Sequence, residues 1–186
     1  MREAAVAEQD AWIMTRGLAM RDGNVALQSL SARATGLRIP DRALDCARLA
    51  WSLVRMDQEG EQDKFAGGLA KIVHPEARTG TVEGIGRLLL DPFFGSRPTP
   101  STAGSGHAVL FASDDQVSAA ALMTVALCAR YDAWFVPDSG RHVIYLSPEG
   151  YVIAIARDEE TFTRLGDWLS VEPAREAPRS VMSRYL

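Results

Sequence analysis

With 186 residues, 47% of them hydrophobic and 24% charged, and a formal charge of −4, the chain has globular composition and room for one ordinary domain or two small ones. Its only cysteines, Cys46 and Cys128, lack the paired spacing of a zinc knuckle or a disulfide framework and are expected as reduced thiols. The N-terminal run MREAAVAEQDAWIMTRG interleaves acids with apolar residues, so no secretory leader is expected and a bacterial-type cytoplasmic location is.

The N-terminal part reads as helices. Residues 2–20 place Val6, Ile13, Met14, Gly17 and Leu18 on one side, RDGN breaks the pattern at Asn24, and a second helix ends at Gly36. The strongest helical signal is RIPDRALDCARLAWSLVRMDQEG, with Pro40 in the first turn and Leu44, Ala47, Trp51 and Val54 spaced by three or four, a face expected to bury Trp51. A fourth helix carries Phe65, Leu69 and Ile72 up to Pro75. A fifth begins at Thr81 with Val82, Ile85, Leu88 and Leu89, and stops at Asp91-Pro92. The sum is a helical lobe of about five helices over residues 1–93. Residues 94–106, rich in Pro, Gly, Ser and Thr, read as a linker or long loop.

Composition changes after the linker. HAVLFAS is a short β-prone run, and Ser113 with Gln116 has the spacing of a capping box at the start of a helix to about Arg130. That helix is too short, at about 1.5 Å per residue, to cross a bilayer core of about 30 Å, so no membrane partner is expected. The runs AWFVP, HVIYLS and YVIAIA, with Gly140 and Gly150 in the connections, predict an antiparallel meander. Asp158 then caps a last helix whose inner side carries Phe162 and Leu165. The predicted fold is α+β: the helical lobe packed on a small β-α-β-β-β-α domain over residues 107–172, followed by a flexible tail at 173–186. That element order resembles the profilin-like arrangement of roadblock-type regulatory domains, without their initial hairpin. The resemblance implies protein contacts rather than catalysis and carries over no functional residue.

Residues 107–172 hold ten acidic and four basic side chains, a balance that argues against nucleic acid as partner. A helix-turn-helix over residues 27–49 has Ala32, Gly36 and Leu37 in its favour, with Arg33, Arg38, Arg42 and Arg48 available to phosphates. Pro40, Asp41 and Asp45 oppose it. The glycines of STAGSGHAV precede a strand instead of following one, and GTVEGIG at 80–86 has no strand before it, so neither is a phosphate loop. His74, His107 and His142 are scattered without ligand spacing, and no G-x-S-x-G elbow occurs; no metal, cofactor or catalytic residue is expected. If a ligand binds, the carboxyl ends of the strands nominate Ser113, Asp114 and Asp115 with Arg141 and His142.

The sequence thus supports first a non-enzymatic protein-interaction or regulatory module with a protein partner or a second copy of itself. The alternatives are a small-molecule sensor or enzyme with a pocket between helical lobe and sheet, and helix-turn-helix DNA binding through residues 27–49.

Overall fold

The computed structural model describes residues 1–21, 24–28, 31–56, 65–73 and 107–170. In chain order these form β1 (Arg2–Glu3), α1 (Val6–Thr15), β2 (Leu18–Arg21), β3 (Asn24–Leu27), β4 (Arg33–Arg38), α2 (Ala43–Arg55) and β5 (Gly68–Val73). They continue with β6 (His107–Phe111), α3 (Gln116–Ala129), β7 (Asp132–Pro137), β8 (His142–Ser147), β9 (Tyr151–Ala156) and α4 (Glu159–Ser170).

Seven strands make one antiparallel sheet in the order β1-β6-β5-β7-β8-β9-β4, and β2 and β3 pair apart as a hairpin. This overturns the expectation of a five-helix lobe packed on a separate small sheet. Between residues 1 and 73 the described helices are α1 and α2 alone, while β4 and β5 belong to the same sheet as β7, β8 and β9. The expected fifth helix, the linker at 94–106 and the tail at 173–186 lie outside the described residues.

The misread strands have local reasons. The segment GLAKIV, expected as helix, is β5 and lies between β6 and β7, with Lys71 opposite both Ala108 and Trp134. A Cβ on Gly68 would lie 2.7 Å from the Val136 carbonyl and 2.8 Å from the Phe135 ring, so the central strand can close on its neighbour only with glycine there. β4, expected at the end of a helix, pairs with β9 from Arg33↔Ala156 to Arg38↔Tyr151. A strand here also removes the helix-turn-helix of residues 27–49, since the end of its first helix and its turn at Gly36 fall on residues 33–38.

Both faces of the sheet are covered. On one, Ala70, Ile72, Val109, Phe135, Ile144, Leu146 and Val152 meet Leu49, Leu53, Met123, Leu127 and Leu165 from α2, α3 and α4. On the other, Leu69, Trp134, Val136, Val143, Tyr145 and Ile153 meet Ile13 of α1, Leu18 of β2 and Val25 of β3. Every residue of β8 is buried in consequence, so HVIYLS reads as an unbroken apolar run where a half-solvated antiparallel strand would alternate. Each fully buried Leu, Phe or Val contributes about 1.5–3 kcal/mol of transfer free energy.

α2 is present but rolled relative to its expected face. Cys46, Leu49, Ala50, Leu53 and Val54 are buried, while Leu44 and Trp51 face solvent. The helix has two apolar stripes, and the one that contains Trp51 is the outer one.

Candidate functional site

The turn before α3 and the start of β8 share one end of the sheet. Phe111 of β6 is opposite Gly68 of β5, and Gly68 is opposite Pro137 of β7, which leads into β8 at His142. β5 and β7 stand between them, so β6 and β8 are three strand spacings of about 4.8 Å apart, about 14 Å. The five nominated residues therefore occupy one rim of the sheet as two separate groups.

In the first group, Ser113 and Asp114 are exposed, and neither makes the helix cap expected of Ser113. Asp115 is the residue before α3, and its side chain turns back to accept the Ala112 N–H at 2.9 Å and a bond from the Met1 ammonium. That ammonium, then the Ala112 N–H, holds its carboxyl below the usual aspartate range.

The second group is built around a turn. Gly140 adopts φ +60, its N–H reaches the Pro137 carbonyl at 3.0 Å, and the Ser139 hydroxyl accepts the Arg141 N–H at 3.2 Å. Arg16, at the end of α1, clamps this turn by donating to the Asp138 carbonyl at 2.8 Å and to its carboxylate at 2.5 Å, with its guanidinium 3.6 Å from the Trp12 ring centroid. The Arg141 carbonyl accepts the Arg157 N–H, so Arg141 is engaged in the joint between β8 and β9.

His142 is only 1% exposed and belongs to the face that carries α4. Neither ring nitrogen has a hydrogen-bond partner among the described residues. Burial, and then the Arg164 guanidinium, push its pKa down to about 3, so the imidazole is neutral at physiological pH. Above it, Asp158 accepts the Thr161 N–H at 2.8 Å as the α4 cap and is held low by that bond and by the charges of Arg141 and Arg164. A buried, neutral ring without a hydrogen-bond partner among the described residues describes a packed residue of the core, out of reach of the Asp114–Asp115 carboxylates.

At the opposite end of the sheet, on the α1 side, lies a polar set that the sequence reading missed. Lys71 is buried beside Trp134, its pKa lowered by burial against the partly compensating charge of Asp10. Asp132 is raised by burial, and its Oδ1 and the Trp134 Nε1 have no partner among the described residues. An open cleft of about 340 Å³ lies elsewhere, along β1 and β6, between Met1, Arg2, Trp12, Leu110, Phe111 and Ala112. None of the five nominated residues lines it. Among the described residues no three His, Cys, Asp or Glu side chains converge on a point suited to a metal ion, and no helix is long and apolar enough to cross a membrane. His74 lies outside the described residues, as does the 80–86 glycine segment.

The surface with the clearest chemical character is the outside of the α2–α3 layer. α3 has no charged side chain in its 14 residues, and its outer positions are Val117, Ala121 and Cys128. Val117, in the first turn of α3, is 69% exposed, and on α2 Leu44 and Trp51 are 64% and 39% exposed. Exposed Arg48 and Arg55 alternate with Leu44 and Trp51 along the same side of α2, at spacings of three and four residues, and Arg48 pairs with Asp45 at 3.5 Å.

No protein-family model, curated protein or solved structure matches the chain. The resemblance to roadblock-type domains therefore rests on element order alone.

Proposed function

We propose that the chain is a non-enzymatic protein-interaction or regulatory module of the cytoplasm, and that the outer side of α2 and α3 is its docking face. The observation that carries this reading is the exposure of Leu44, Trp51 and Val117 on a helix pair whose other side is already packed into the core. Exposed apolar side chains with an aromatic anchor, interleaved with arginines, have the composition of a protein-binding patch. With Arg48 and Arg55 between and beyond Leu44 and Trp51, the partner that fits is a protein surface on which apolar side chains alternate with carboxylates.

The test is affinity purification from the producing cell of the wild type, Val117→Glu and, as a control on α4, Glu160→Lys. The reading expects one stoichiometric protein with the wild type and the control, and its loss with Val117→Glu. Equal recovery with all three, or none with the wild type, contradicts it.

A further inference from the structure

The second apolar stripe of α2 brings its first turns against the end of α3, and it is there that the two cysteines of the chain meet. Arg130, which ends α3 in the left-handed conformation at φ +55, donates to the carbonyls of Ile39 at 3.2 Å and Pro40 at 3.1 Å and to the Asp41 carboxylate at 3.1 Å. The Cys46 thiol lies 3.3 Å from that same Pro40 carbonyl. Cys128, two residues before Arg130, is close enough to Cys46 to act on its thiol. One thiol is buried and the other is exposed. The strap from Arg130 to residues 39–41 fixes the helix ends against each other, so the two sulfurs are held as neighbours by the fold although 81 residues separate them in the chain.

We propose that Cys46 and Cys128 form a reversible disulfide that staples α2 to α3, with a low-molecular-weight disulfide as oxidant. Cys128 is the point of entry because it is accessible. Its thiolate attacks one sulfur of the small disulfide, a mixed disulfide forms, and one small thiolate leaves. Cys46 then gives up its proton to solvent and attacks the Cys128 sulfur, the protein S–S bond forms, and the second small thiolate leaves. Two protein thiols are oxidised and one disulfide is reduced to two thiols, with no further reagent. Arg130 is the cation beside the reacting pair.

The resting state favours the reduced pair. Burial, then the neighbouring Cys128, push the Cys46 thiol up to about 11, with Arg130 acting in the opposite sense. Closure is therefore expected to accelerate with rising pH through the thiolate fraction of Cys46. The bond lies within the helix pair that bears exposed Leu44, Trp51 and Val117, but the chemistry does not depend on whether these side chains bind a protein.

The experiment uses the full chain and oxidised glutathione. Samples taken over time are quenched in acid, unfolded, alkylated and weighed intact. The proposal expects a species that has lost two hydrogens, carries neither glutathione nor alkyl groups, migrates faster on a non-reducing gel and melts at higher temperature until dithiothreitol is added. Cys46→Ser is expected to stop at a stable glutathione adduct on Cys128, and Cys128→Ser to stay unmodified. A wild type that keeps one glutathione, forms a disulfide-linked dimer or remains fully reduced overturns the proposal. The wild-type masses alone decide it if either variant fails to fold.

Discussion

α3 and α4 lie on the same face of the same sheet and bury similar apolar residues beneath them, yet their outer sides differ in kind. α4 turns Glu159, Glu160 and Asp167 outward and keeps Thr161 and Leu165 in the core, the division expected of a helix whose second side meets water. α3 buries Ala119, Leu122, Met123, Ala126 and Leu127 and has nothing charged to turn outward. Core packing accounts for the inner sides of both helices, and contact with water accounts for the outer side of α4 alone. What remains is the outer side of α3 with the Leu44–Trp51 stripe of α2, which supports reading this layer as a surface for another protein.

The comparison can be broken first on the inner sides. Leu127→Ala under α3 and Leu165→Ala under α4 should each cost about 2–5 kcal/mol in denaturant unfolding, because both side chains are fully packed. Near-neutral loss at one of them would mean that its helix is not held as described.

A second difference separates the helices by pH. His142 lies under α4 and is neutral when folded, with its pKa pushed down to about 3 from an ordinary 6.5. The unfolded chain takes up a proton there below about pH 6.5 and the folded chain does not, so this stabilisation is complete above pH 6.5 and falls as pH drops towards 3. The slope approaches about 1.4 kcal/mol per pH unit, or about 2 kcal/mol lost by pH 5. Arg164 adds repulsion to any imidazolium. Unfolding curves of His142→Gln should lose this component of the acid slope; an unchanged slope places the acid sensitivity elsewhere.

A smaller effect belongs to the α4 cap. Asp158→Ala removes the acceptor of the Thr161 N–H and should cost about 1 kcal/mol, measured by thermal melting. The smallest stability effects belong to the outer sides. Val117→Glu on α3 and Glu160→Lys on α4 should both stay within about 0.5 kcal/mol of wild type, so that any loss of binding in the first is a surface effect.

How much of this was legible in the sequence follows the distance over which structure is decided. β7, β8 and β9 were readable because Gly140 and Gly150 mark the turns and Val, Ile, Tyr and Trp fill the runs between them. β2, β3 and β4 were not, because LAMR, NVAL and RATGLR contain helix-tolerant Ala, Leu, Met and Arg and are made strands by pairing; β4 takes its partner from residues 151–156. GLAKIV was an apolar run that periodicity cannot assign, and the glycine pair at 67–68 was the available clue. α2 was readable in extent and misread in rotation, since its two apolar stripes compete and only α3 decides between them. At the nominated site, sequence named both halves but left open whether they share an end of the sheet, and it had no access to the insertion of β5 between β6 and β7. The Cys46–Cys128 pairing had no local signal at all.

The central claim is tested most directly by placing a photo-crosslinking amino acid at Val117 in one version of the chain and at Glu160 in another, and irradiating the producing cells. The account predicts a discrete crosslinked protein from position 117 and background alone from position 160. The same pattern from both positions, or background alone from 117, contradicts it.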